Sequence, residues 1–285
     1  MVWDGIVAID LFLAGMGAWT FIFAAFACGR DDAARKAKLA AVAVAVVAVG
    51  LGALILAVDA RGGMMHPLRF VHLIGNLGSV MAWGVIFISL FLVGAIVCAG
   101  MMLAKKQPPR ALEIVTAVLG LGVSLYTGVL LGTAPAFPLW SLAALPIAFL
   151  VSAAYTGYAA WGLATRVAGG GSAAPSWVSR AALVLPVAEA AALILLLAVV
   201  SGTAGSGAAA AAASVANLVS GSQAVVFWGG VVAVGLVAPL ALAVLRQRQG
   251  DKAPAWYGLA EWVCILVGGF AFRYAVVMAA VPIFL

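Results

Sequence analysis

Apolar residues run in stretches of about 20, broken by short polar turns, and this pattern recurs along all 285 residues. At 1.5 Å of rise per helical residue, such a stretch crosses the roughly 30 Å hydrocarbon core of a bilayer. The runs predict eight helices, at about 5–28, 39–58, 76–102, 111–132, 140–164, 181–200, 223–245 and 256–280. The alternating strands of about 10 residues that a membrane barrel requires are absent. The expected fold is an all-α polytopic membrane protein, a helical bundle of about eight transmembrane helices forming one integral membrane domain over residues 1–285.

Two breaks in the pattern are longer than the rest. Segment 59–75 mixes polar and aromatic residues, and Gly62-Gly63 with Pro67 predicts an ordered turn rather than continued helix. Segment 201–222 is rich in Ala, Gly and Ser and nearly free of charge. It reads either as a flexible connector or short surface helix, or as a re-entrant or interfacial segment covering a partner or a cavity. Pro135, Pro138 and Pro146 surround the turn between the fourth and fifth spans and predict a rigid corner. No internal repeat is evident.

Composition sharpens the class. Hydrophobic residues make up 66% of the sequence and charged residues 8%, against about one half apolar in soluble domains. Twelve of the 15 Lys and Arg fall in alternate connections, at 30–38, 105–110, 166–180 and 246–252. The positive-inside rule makes that face cytoplasmic and puts both termini on the non-cytoplasmic side of a multi-pass protein of the cell's inner (cytoplasmic) membrane. The basic excess therefore reports orientation and not nucleic-acid binding. The first apolar run is long enough to remain as a span, so no cleaved signal peptide is expected. Cys28, Cys98 and Cys264 stand alone, without C-x-x-C spacing, and His66 and His72 share one loop. Neither set predicts a haem or an iron–sulfur cluster within this chain.

The candidate chemistry lies in the charges that the apolar runs retain. An ionisable group at the centre of a lipid-facing helix costs about 2.5–3.5 kcal/mol on insertion scales, so such groups face a protein interior or a wet cavity. Helix rise sorts them into two layers. Asp10, Tyr126, His66, Arg69, His72 and Asn76 belong near the outer face, and Arg273 approaches them from the last span. Glu113 falls at the inner rim, with Glu261 and Glu189 roughly 9 and 12 Å further in. The outer set suits a quinone headgroup, whose carbonyls take hydrogen bonds from Tyr, His, Asn or Arg and whose reduced form gives protons to a carboxylate or imidazole. Asp10, Tyr126 and His72 are the candidate catalytic groups; Trp3, Trp83, Phe70, Met64 and Met65 could wall the ring. Aromatic residues at this depth also form the ordinary interfacial belt. The inner glutamates read as stations of a proton path, or as structural groups bonded to a neighbouring helix or paired with Arg273.

Several stretches carry a family resemblance. VWDGIVAIDLFLAGMGAW at 2–19, HPLRFVHLIGNLGSVMAWGVIFISLF at 66–91, ALEIVTAVLGLGVSLYTGVLLG at 111–132, FPLWSLAALPIAFLVSAAYTG at 137–157 and FRYAVVMAA at 272–280 resemble the membrane subunit of the polysulfide reductase (NrfD-like) family. The resemblance covers most of the sequence in the expected order. It implies a quinone-reactive anchor subunit with no redox cofactor of its own. A four-cluster iron–sulfur subunit would dock on it, with a molybdopterin catalytic subunit beyond, and menaquinol would be bound as substrate near the non-cytoplasmic face. Tyr126 matches the tyrosine associated with that site, and Asp10 the polar or acidic position of the first helix. The 201–222 tract has no counterpart in this resemblance.

Two other readings compete with a quinone-reactive anchor. A proton-coupled transporter of small solutes or ions would line its pathway with Asp10, Glu189, Glu261 and Arg273, but the sequence lacks the repeats and interrupted spans typical of that class. The dimethyl sulfoxide reductase type of anchor has similar size and topology, and the Tyr126-Thr127-Gly128 stretch favours the polysulfide reductase type instead.

Overall fold

A computed structural model describes residues 5–59, 78–169 and 175–283. Among these, eight helices are long and apolar enough to cross a membrane. They are α1 (Gly5–Ala27), α2 (Asp32–Asp59), α3 (Val80–Leu103), α4 (Arg110–Gly132), α5 (Leu145–Val167) and α6 (Ser176–Ser201), followed, after a short helix α7 (Ala208–Val219), by α8 (Val226–Gln249) and α9 (Trp256–Ala279). Each apolar run overlaps one of the eight, with ends that differ by up to seven residues, the largest at the start of α2 (Asp32 against 39).

Local chemistry sets the helix ends. Pro109 and Pro175 immediately precede α4 and α6, and Pro146 sits in the first turn of α5, positions where a missing N–H breaks no helical bond. Gly169 and Gly250 turn the backbone after α5 and α8 with φ of 93° and 52°, a region open to glycine at little cost.

Helices α1 and α5 form the centre. α1 packs against α2, α4, α5 and α9, while α5 also touches α4, α6 and α9. α3 lies outside, on α2 and α4, and α8 lies outside on α9. Small residues permit these approaches, as is usual where helices pack in lipid. A Cβ on Gly157 of α5 would fall 2.3 Å from Trp19 Cβ of α1, and one on Gly268 of α9 would fall 2.1 Å from the Gly235 Cα of α8. The first half of α8, Val226–Val237, is π-helical, a wider coil that the sequence pattern does not distinguish from an ordinary span.

The two ends of the bundle differ. At one end, Arg30 Nη2 donates to the Pro108 carbonyl (2.6 Å) and Arg110 Nη1 to the Ala25 carbonyl (2.7 Å), gathering the basic turns after α1 and α3. At the opposite end the C-terminal segment is held down: Ile283 N–H donates to the Ala136 carbonyl (2.8 Å) and Val281 N–H to Ser214 Oγ (2.9 Å). Ser214 belongs to α7, so the Ala-rich 201–222 tract is a short helix packed on the bundle, with Ala210, Ala211, Ser214 and Leu218 buried. Trp228 Nε1 ties its C-terminus to α8 through the Val219 carbonyl (2.8 Å).

Candidate functional site

The buried polar residues form three groups along the bundle axis. The first lies toward the end opposite the basic turns. Asp10, on the second turn of α1, is buried at 3% exposure. Its Oδ1 would lie 2.9 Å from a Cβ on Gly52 of α2, so the absent side chain makes the space the carboxyl fills. That oxygen has no hydrogen-bond partner among the described residues. Tyr126, on α4, is close enough to Asp10 to interact with it electrostatically. The Tyr126 ring lies flush on Gly84 of α3, where a Cβ would be 2.0 Å from Cζ. Four helices thus meet around two side chains, α1 and α4 supplying the side chains and α2 and α3 the two glycines that set how closely they pack.

The second group centres on Arg273 of α9, which is fully buried. Its Nε donates to the Leu11 carbonyl (3.1 Å), and Nη1 donates to Ser152 Oγ (2.9 Å) and to the Gly269 carbonyl (3.3 Å). Nη2 reaches the Phe149 carbonyl at 3.4 Å. The guanidinium also lies over the Phe149 ring at 5.3 Å from its centroid, a favourable cation–π placement. Glu189 of α6, buried at 3% exposure, lies within electrostatic range of Arg273. A buried charge persists only with such partners. The arginine expected in the outer layer therefore joins the Glu189 side, while its bond to Leu11 places it one residue from Asp10.

The third group lies at the basic end. Arg246 Nη2 sits 3.1 Å from Glu261 Oε2, and Tyr158 donates to Glu261 Oε1 at 3.1 Å. Arg246 also donates to the Tyr158 hydroxyl at 3.3 Å. Tyr158 and Arg246 line a cavity of about 420 Å³ with Trp161, Trp262, Thr165 and Cys28. Nearby, Glu113 is buried and engaged by three cations: Lys38, Arg30 (3.1 Å) and Arg110 (3.0 Å). That cluster ties α2, α4 and the turn after α1 together.

Of the expected site residues, Asp10 lies within electrostatic range of Tyr126, and Glu189 of Arg273. Glu261 takes Arg246 as its partner. His66, Arg69, His72 and Asn76 lie outside the described residues, as do Trp3, Met64, Met65 and Phe70. Several contributors are not among the sequence candidates. Arg246 counts as a loop charge by position, yet it turns inward from the last turns of α8. Ser152, Tyr155 and Tyr158 recur every three residues on α5, a polar stripe in an apolar span that helical spacing alone reveals.

The fold and its interior define a multi-pass helical membrane protein whose buried polar groups run from one face of the bundle to the other. Comparison with known proteins gives the family. A family model described as "Polysulphide reductase, NrfD" matches residues 1–284. The C subunit of the polysulfide reductase of Wolinella succinogenes is 30% identical over 306 aligned positions, which take in 98% of this chain and 94% of that protein. The protein belongs to the NrfD polysulphide reductase family.

Proposed function

We propose that this protein is the quinone-reactive membrane anchor of a respiratory oxidoreductase, and that menaquinol is oxidised at Asp10 and Tyr126. The observation that carries this reading is the buried Asp10 Oδ1 with no hydrogen-bond partner among the described residues, on a helix that packs against the one carrying Tyr126. An unmet buried acceptor costs about 1–3 kcal/mol, and a quinol hydroxyl is a donor of the right kind to relieve it. Tyr126 supplies the complementary donor for the carbonyl that forms on oxidation. Each quinol releases two protons and two electrons. The Asp10 carboxylate is the first proton acceptor, a role for a positioned base that is worth about 100-fold or more in rate.

His66, Arg69, His72 and Asn76 complete the headgroup site in this reading, from the segment before α3. The electrons pass to a four-cluster iron–sulfur partner, with a molybdopterin catalytic subunit beyond it. The basic end faces the cytoplasm, as the distribution of Lys and Arg supports, and the quinone site faces the other side of the cytoplasmic membrane. Quinol protons released there leave turnover electroneutral if the electrons exit on the same side. Charge separation then requires a second route, and Glu189 and Glu261 are its stations. Glu113, held by three cations, acts at the rim of that route as the tie that fixes α2 and α4.

Photolabelling of the purified complex with an azido-quinone tests the assignment. Cross-links on α1 and α4 around Asp10 and Tyr126, competed away by menaquinone, are expected. Cross-links confined to the cavity at the basic end would place the quinone elsewhere.

A further inference from the structure

Between the Glu189 group and the Glu261 group stands a residue to which neither site has yet given a role. Tyr155 lies on α5 one turn from Ser152 and one turn from Tyr158, on the face that both groups share. It is 1% exposed. Its hydroxyl has no hydrogen-bond partner among the described residues, yet it lies close enough to Glu189, Glu261 and Tyr158 to interact with each electrostatically. A buried tyrosine hydroxyl ordinarily finds a partner. This one stands unbonded between Ser152, which accepts from Arg273, and Tyr158, which donates to Glu261.

We infer that Tyr155 is the proton relay that joins the two carboxylate groups, with the cavity beside Tyr158 and Arg246 as its mouth. This rests on the proton-route part of the proposed function. Because the hydroxyl is bonded to neither carboxylate, transfer requires water drawn in from the cavity, or a turn of each glutamate side chain, to close the two gaps; rotation about the C–O bond then turns the tyrosine proton toward either side. A proton passes from Glu261 to the Tyr155 oxygen as the tyrosine's own proton passes to Glu189. One O–H bond forms while another breaks, and Tyr155 ends neutral, as it began. Rotation back restores the starting state. On the Glu189 side, Ser152 and Arg273 continue the polar path to the Leu11 carbonyl, next to Asp10. On the Glu261 side, Tyr158 and Arg246 open into the cavity of about 420 Å³ that ends among the basic turns.

The lack of a bonding partner makes the test clean. A tyrosine that serves only to pack loses nothing when its hydroxyl is removed, because that hydroxyl holds no other group in place. The complex with its partner subunits is reconstituted in liposomes, and proton movement is followed with a pH-sensitive dye during quinol oxidation. In Tyr155→Phe, quinol oxidation with an ionophore present stays within about twofold of wild type, which also reports intact folding. Protons moved from the basic side per electron fall about tenfold, the scale expected for loss of a positioned proton donor. An unchanged proton-to-electron ratio in Tyr155→Phe, where the wild type translocates and Glu261→Gln does not, overturns the relay and leaves the route standing. A wild-type complex that moves no protons from the basic side overturns the route and the relay together.

Discussion

Gly84 of α3 and Tyr126 of α4 interlock, with the tyrosine ring occupying the space where a glycine side chain would begin: a Cβ on Gly84 would lie 2.0 Å from Tyr126 Cζ. The proposed quinone site therefore depends on a residue that has no chemistry of its own. Gly84→Ala is expected to push the ring off α3 and lower quinol oxidation by about 10-fold or more, since small misplacements of a reacting group cost rate steeply. The variant complex still assembles, as checked by co-purification. Wild-type turnover in Gly84→Ala would show that the Tyr126 position does not matter.

Breaking the Arg246–Glu261 pair tests the basic end. Removing one partner of a buried pair costs about 3–5 kcal/mol, and a side chain 28% exposed belongs at or below the low end of that range. Arg246→Gln is expected to lower the thermal midpoint in detergent, and Arg246→Gln with Glu261→Gln to recover part of the loss. Equal midpoints for the single and double variants would mean that the two charges do not depend on each other.

The Glu113 cluster predicts an asymmetry between its members. Glu113→Gln leaves Lys38, Arg30 and Arg110 facing one another with no anion. Lys38→Met leaves Glu113 two cations. Proteolysis of the detergent-solubilised protein is therefore expected to be faster in Glu113→Gln than in Lys38→Met, and the reverse order would contradict the assignment of Glu113 as the tie.

Cys28 reports whether the cavity is open to water. It lines that cavity, just beyond the end of α1, and its thiol accepts from Trp161 Nε1 at 3.3 Å. Burial pushes the thiol up from its ordinary value, so the reactive thiolate appears at higher pH than for a free cysteine. A membrane-impermeant maleimide added from the side of the basic turns is expected to label Cys28 slowly near neutrality and faster as pH rises into the alkaline range. No labelling at any pH would close the cavity to that side.

How much of this was legible in the sequence varies by residue, for physical reasons. The spans are legible because bilayer thickness imposes one length on every helix, and charges kept within them announce an interior role, as Asp10, Glu189, Glu261 and Arg273 did. Partners are not legible. Arg246 looks like a loop charge until α8 is seen to carry it over Glu261, and the hydroxyls of Ser152 and Tyr158 matter only because α9 and α6 bring charges to them. The 201–222 tract left two forms open, since an Ala-rich segment forms helix readily but does not encode where it docks. The π-helical stretch of α8 has no apolar signature separate from an α-helical span.

The most direct test of the central claim is quinol turnover by the purified complex in Asp10→Asn and Tyr126→Phe, each alongside its reaction with an artificial electron donor to the soluble subunits. A base and donor acting on the quinol predict a loss of about 100-fold in Asp10→Asn and a smaller loss in Tyr126→Phe, with the artificial-donor activity intact. Full quinol turnover in both variants would contradict a quinone site at this pair.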